Sequence, residues 1–307
     1  MVTLVRAPNP SAMTLAGTNS YLLDCGNGDA LVVDPGPPIS RHVEALVDAA
    51  RARSLKIGAI ALTHGHPDHA AAAGQLVAAT GATLYAHPQS QISHDADLPL
   101  DGDLRVGEIA VRVIDAPGHT FDHAIFYLPQ ERALFTGDTI LGEGTTVIAP
   151  PAGAMRPYQR TLQRLADEFG DARLIYGGHG PVVTDPRSKI AQYIAHRQMR
   201  EKQILDALRD GPVTIPDLVR RIYSPERQVL WPAMARQILA HLIALESEGR
   251  VISRPVAREM TALESAMLNP RIEELVGPDE APILVAELGT ELRLESLCSY
   301  GLARAAG

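Results

Sequence analysis

The segment His64-Gly65-His66-Pro67-Asp68-His69 limits what this chain can be more than any other stretch. Four metal-competent side chains fall within six positions, directly after the apolar run 57–63, which reads as a buried strand. Histidines at i and i+2 of an extended stretch point to the same side. The turn begun by Pro67 then brings Asp68 and His69 round to a neighbouring point. A His-rich surface loop would account for this segment taken alone. Three further residues of ligand type argue against it. His119 (Pro-Gly-His-Thr) follows an expected strand over 111–115, Asp138 (Thr-Gly-Asp-Thr) follows 133–136, and His179 (Gly-Gly-His-Gly) follows 173–176. Each lies in a glycine-containing loop past the C-terminal end of a strand, where α/β sheets place their sites. Imidazole and carboxylate donors without sulfur suit zinc, iron or manganese.

Around these motifs the first half of the chain alternates strand and helix. Further strands fit 20–24, 30–34, 83–86 and 124–128, and helices fit 41–53, 70–80 and 158–169. This is the pattern of an α/β domain with helices covering sheet faces, assigned to residues 1–189. From residue 190 the texture is helical. A long helix fits 190–210, a second 215–223 opened by Thr214 and Asp217, and a third 233–248, before a short strand at 251–252. Residues 190–254 therefore read as a winged-helix module. Residues 255–307 read as a short α+β tail, with a helix before Pro270 and strands at 283–288 and 291–297.

Composition narrows the partners. A net charge of −8 gives no support to a nucleic-acid partner for the whole molecule. The distribution is uneven: residues 187–254 hold 12 Lys/Arg against 7 Asp/Glu, and residues 255–307 hold 4 against 9. Cys25 and Cys298 fit no disulfide or metal spacing and read as free thiols of a reducing compartment. No apolar run approaches the ~18 residues of a membrane span, and the first residues lack a signal-peptide core. A cytoplasmic protein with no membrane partner is expected, which disfavours a secreted antibiotic-degrading role.

Taken together, Asp34-Pro35-Gly36, His64–His69, Gly118-His119-Thr120, Gly137-Asp138 and Gly178-His179-Gly180 resemble the ordered motifs of metallo-β-lactamase-fold hydrolases. The resemblance implies an αββα sandwich with two divalent metal ions at one edge, zinc first, then iron or manganese. It implies that His64, His66 and His119 hold one metal, that Asp68, His69 and His179 hold the other, and that Asp138 bridges them. Asp34 is implied to orient a ligand. An Asp at position 138 resembles the thioesterases, lactonases and nucleases of the superfamily rather than authentic metallo-β-lactamases. His66 stands where the diiron flavoprotein branch has Glu. Two metals would lower the pKa of a shared water and polarise a carbonyl or phosphoryl oxygen, so no Ser or Cys nucleophile is needed. Asp68 is the candidate catalytic residue, holding the resulting hydroxide and passing a proton to the leaving group; simple ligation is the competing role.

Over about residues 15–253 the chain resembles the β-lactamase-like endoribonuclease branch, which includes a mitochondrial single-strand ribonuclease and fungal polyketide thioesterases. The stretch Gly142–Ile148, the stretch Met155–Tyr158, and His196-Arg197 with Arg200-Glu201 carry this likeness. Where that branch often has Pro-Glu-Gly-Asp-Met, this chain reads Pro151-Ala152-Gly153-Ala154-Met155, so two acidic positions are alanine. The leading expectation is a dinuclear hydrolase acting on a thioester, lactone or similar small ester-like substrate. A single-strand endoribonuclease with RNA as partner is the nearest rival, disfavoured by 12 basic against 20 acidic residues over 1–185. A mononuclear-iron persulfide dioxygenase and a winged-helix DNA-binding regulator stand behind these two, and a homo-oligomer is compatible with all four. His123 is expected to support the site rather than react, and His42, His87 and His94 to lie on surfaces or loops. His196-Arg197 is expected to cap or to pack between domains, with anion binding as the competing role, and Trp231 to pack.

Overall fold

Alternate residues along the strands enter different cores, and this fixes the layers. A computed structural model describes residues 2–269 and 297–303. The first sheet has the order β1 (Val2–Arg6), β2 (Asn19–Asp24), β3 (Asp29–Val33), β4 (Lys56–Ala61), β5 (Thr83–Ala86), β6 (Ala96–Asp97). The second has the order β11 (Leu174–Gly177), β10 (Ala133–Gly137), β9 (Ala124–Leu128), β8 (Ile109–Asp115), β7 (Asp103–Val106). Leu31, Val33, Ala59 and Ala61 meet Val111, Val113, Phe126 and Phe135 in the core between the sheets. Their neighbours Ala30, Val32, Ile57 and Ile60 face outward onto helices α1 (Ser40–Arg51) and α3 (Ala73–Thr80). On the far side Ile114, Ile125, Leu134 and Ile175 pack under α4 (Met155–Glu168) and the start of α5 (Pro186–Ala207). A strand buried on both faces must be apolar throughout, which is why β3 and β4 read as unbroken apolar runs. The result is the expected αββα sandwich.

Strand direction then places the loops. β3, β4 and β5 are mutually parallel, as are β10 and β11, and β8 runs with β10 because β9 is antiparallel to both. The C-terminal ends of β3, β4, β8, β10 and β11 therefore deliver Asp34, His64–His69, His119, Asp138 and His179 from the two sheets to one edge.

Several expected elements change. The helix over 70–80 is two pieces, α2 (Pro67–Ala70) and α3, and β1, β6 and β7 have no counterpart among the expected strands. β6 spans two residues and β7 four, too short to show a period. α4 starts at Met155 and α5 at Pro186, so His196 and Arg197 lie mid-helix and cap nothing.

The C-terminal module contains α6 (Ile215–Ile222), a 3-10 turn (Pro225–Leu230), α7 (Trp231–Ser247) and α8 (Ala262–Leu268). Its sheet has the order β12 (Val213–Thr214), β14 (Cys298–Leu302), β13 (Val251–Pro255). The tail thus supplies the central strand of this sheet, a pairing that no local sequence pattern signals. The expected strands at 283–288 and 291–297 fall almost wholly outside the described residues. Trp231 packs against the module core, as expected. No helix among the described residues is long and apolar enough to cross a membrane.

Candidate metal centre

All seven candidate ligands converge. His64, His66 and His119 form one cluster, Asp68, His69 and His179 a second, and His64, His69 and Asp138 a third that joins them, with ligand atoms within 4.8 Å in each. His119 Nε2 lies 3.1 Å from His66 Nδ1. His179 Nε2 lies 3.2 Å from Asp68 Oδ2 and 3.4 Å from His69 Nε2. Asp138 faces both groups, with Oδ2 at 3.8 Å from His119 Nε2 and Oδ1 at 3.3 and 3.4 Å from the Nε2 atoms of His69 and His179.

Hydrogen bonds behind the rings set which nitrogen faces inward. Asp34, buried at the end of β3 with φ 53°, accepts from Thr63 N and Thr63 Oγ1, both at 2.7 Å, and from His69 Nδ1 at 2.8 Å. Because Thr63 Oγ1 gives its proton to Asp34, it is left to accept from His64 Nδ1 at 3.0 Å. His64 Nε2 is therefore bare, and it is buried without a hydrogen-bond partner, as is Asp138 Oδ1. His119 Nδ1 donates to the Val147 carbonyl at 2.8 Å, again turning Nε2 inward. Thr18 Oγ1 donates to Asp68 Oδ2 at 3.2 Å, and Asn19 Nδ2 clamps the His179 loop through the Gly177 and Gly180 carbonyls. Thr18, Asn19 and Thr63 are not among the residues that the sequence singles out. Only Thr63 carries a signal, as neighbour of the first histidine.

His123 supports the site as expected: its Nε2 accepts from the Asp138 amide at 3.2 Å, and its ring stacks on His64 at 4.9 Å. Gly178 permits the crowding, since a Cβ there would sit 2.5 Å from Asp138 Oδ1 and from His69 Cε1. His42 is buried on α1, against expectation, whereas His87 lies in the loop after β5, as expected, although its side chain is buried. His42 pairs with Ser20 Oγ at 2.9 Å under α1, and His87 Nε2 reaches Asp115 at 3.3 Å. Apolar neighbours on the helix face, rather than the residue type, decided the burial of His42.

The electrostatics divide the site in two. Burial pushes His64 well below an ordinary histidine and His119 down to about 4, leaving neutral rings with lone pairs to offer. Burial also opposes charge on His69 and His179, but Asp68 and Asp138 outweigh it, raising His69 well above its ordinary value and His179 to about 10. Burial likewise opposes charge on Asp68 and Asp138, yet those histidines hold both carboxyls well below the usual range. Bare nitrogens beside two ionised carboxylates call for positive charge at their centre. An all-oxygen-and-nitrogen set of this kind fits divalent metal.

Residues 13–94 and 89–179 match the family described as "Metallo-beta-lactamase superfamily". The chain belongs to that superfamily. It is thus an enzyme of a hydrolase family, and residues 214–256 match the "Beta-lactamase associated winged helix domain". The superfamily member is 33% identical to "Beta-lactamase-like protein 2 homolog" of Drosophila melanogaster, over 79% of this chain and 87% of the relative. It is 30% identical to "Atrochrysone carboxyl ACP thioesterase" of Aspergillus chevalieri, over 81% of this chain and 85% of the relative. Among solved structures it resembles a metallo-beta-lactamase family protein from Thermus thermophilus, with TM-score 0.69 and 27% identity over 82% of this chain and 95% of that one.

Proposed function

We propose that this superfamily member is a dinuclear metal-dependent hydrolase of thioesters, lactones or similar small ester-like substrates. One metal would be held by His64, His66 and His119, the other by Asp68, His69 and His179. The observation that carries the reading is Asp138, whose two oxygens face one group each. When bound, such a pair supplies Lewis acidity and a water acidified enough to attack at neutral pH. Zinc suits the donors best, with iron or manganese next.

The chain's own residues do the rest. Asp34, Thr63 and Val147 fix imidazole orientation before substrate arrives. Asp68 is the more exposed of the two candidate ligand carboxylates, its side chain 18% exposed against 13% for Asp138, and is hydrogen-bonded by Thr18. It is therefore placed to take a proton from the attacking water and return it to the leaving group. The thioesterase relative supports the substrate class, and the acidic balance over 1–185 supports it against RNA. We also infer a catalytic domain over 1–189, a winged-helix module over 190–254 and a tail over 255–307, with α5 crossing the first boundary and carrying Ile190 and Tyr193 into the sandwich core. Free Cys25 and Cys298 support a reducing, cytoplasmic setting.

Metal analysis coupled to a panel of acyl-thioesters, lactones and single-stranded RNA tests the reading. The expected result is about two metals per chain and turnover of thioester or lactone, lowered ~100-fold or more by Asp68→Ala and by Asp138→Ala. Turnover of RNA alone would overturn the substrate class. A single iron with oxygen uptake would overturn the hydrolase.

A further inference from the structure

Outside the metal centre, the densest group of unsatisfied polar atoms lies where α5 of the sandwich meets α7 of the winged-helix module. Arg197 is fully buried. Its Nη2 donates to the Thr146 carbonyl at 2.8 Å and its guanidinium lies 5.0 Å above the Tyr158 ring, but Nε and Nη1 are buried without partners. Arg200, one turn on and half-buried, stacks on Tyr223 at 4.3 Å and donates to Gln203, and its Nε is likewise unpartnered. From α7, His241 is buried with both ring nitrogens unpartnered, and His196 Nδ1 is a sixth such atom. Neither arginine forms an ion pair among the described residues. The neighbouring carboxylate, Glu201, is already taken by Arg156 at 2.6 Å and Arg250 at 2.7 Å.

A buried guanidinium without a counter-charge is unfavourable, and water can fill its hydrogen bonds but not neutralise it. Burial, then the field of Arg197, pushes His241 down to about 3, and burial with Arg197 and Arg200 pushes His196 down to about 4. Both imidazoles are thus neutral and each keeps one N–H to donate. The place is also close to the chemistry. Thr146, whose carbonyl holds Arg197, has its hydroxyl 3.3 Å from His119 Nδ1.

We propose that His196, Arg197, Arg200 and His241 form an oxoanion subsite that takes a carboxylate or phosphate group. Planar forks with free N–H groups suit two-oxygen anions, and the half-exposed His196 and Arg200 give it an entrance from the surface. The anion is either a charged group on the substrate, which rests on the hydrolase reading, or a free ion.

Titration of inorganic phosphate into the metal-loaded full chain by calorimetry tests the subsite without substrate. Saturable binding is expected, weakened roughly tenfold or more in Arg197→Met and in Arg200→Met, with circular dichroism to show each variant folded. Arg200→Met, at a half-exposed position, decides the matter if Arg197→Met does not fold. Absence of binding, or binding indifferent to both substitutions as for phosphate held by the metals, would overturn the proposal. Two thioesters that differ only in a terminal carboxylate or its methyl ester identify the source. If the substrate supplies the anion, the carboxylate form has the higher kcat/KM and Arg197→Met removes that preference. Equal turnover with phosphate binding retained assigns a free anion. If neither thioester turns over, the thioester reading fails while the phosphate titration still decides the subsite.

Discussion

Three donors end on Asp34, although it faces no candidate metal position itself. Its carboxylate takes the Thr63 amide, the Thr63 hydroxyl and His69 Nδ1, and through Thr63 it also settles His64. Asn tolerates the left-handed backbone at position 34, so Asp34→Asn keeps the turn while replacing one acceptor oxygen by a donor. Metal affinity is expected to fall ~10–100-fold, read by chelator competition, with the fold retained. An unchanged affinity would remove Asp34 from the site. His42 makes a different residue-scale case. Burial lowers its pKa to about 4, below the 6.5 of an exposed histidine. Between those values the unfolded chain binds the proton that the folded chain refuses, so stability is full above about pH 6.5 and is lost as pH falls toward about 4. The loss attributable to His42 is roughly 3 kcal/mol at most. His42→Gln, which can still reach Ser20, should therefore show a shallower decline in melting temperature from pH 7 to pH 4.5 than the parent chain.

At the scale of elements, α4 starts without a cap: Ala154 is its N-cap, extended at φ −146°, with no side-chain hydrogen bond. The resembled branch often carries an acidic residue at this position, and the structure explains what its loss costs locally. Ala154→Asp should stabilise the chain by about 1 kcal/mol, seen as a higher midpoint in urea with unchanged slope. The stretch is held elsewhere by backbone alone, through Ala154 N to the Gly118 carbonyl and Phe121 N to the Ala152 carbonyl. Element legibility followed length and burial. The doubly buried β3 and β4 and the amphipathic α1 were readable because many residues repeat one pattern. The break between α2 and α3 was not, because Ala70–Ala73 are all helix formers. What separates the pieces is tertiary, with Gly36 N bonding the His69 carbonyl and Ala72 N the Gly36 carbonyl.

Across the whole molecule, α5 ties two cores together: Ile190 and Tyr193 belong to the sandwich and Ile204 to the winged-helix module. Arg156 of α4 adds polar links to Glu201 of α5 and to Glu248 just past α7. The module is in turn closed by the chain's far end. Tyr300 on β14 pairs with Val213 and Ser253 and is buried in the module core. Tyr300→Ala should cost about 3 kcal/mol and bring forward unfolding of the C-terminal module, followed by Trp231 fluorescence. Metal content is expected to stay, because no candidate ligand belongs to that core. Loss of metal in step with the tryptophan signal would show that the two units unfold as one.

The order and type of the seven candidate ligands, the α/β and helical halves, and the superfamily can all be read from the chain in one dimension. Short motifs anchored at strand ends are local, and local pattern survives in one dimension. Tertiary structure was needed to show that Thr63 sets the ring nitrogen of His64, that Cys298–Leu302 is a central strand, and that Arg197 is buried without a counter-charge. Each of those depends on contacts between residues far apart in the chain. Only the packing of sheets and helices against one another brings such residues together.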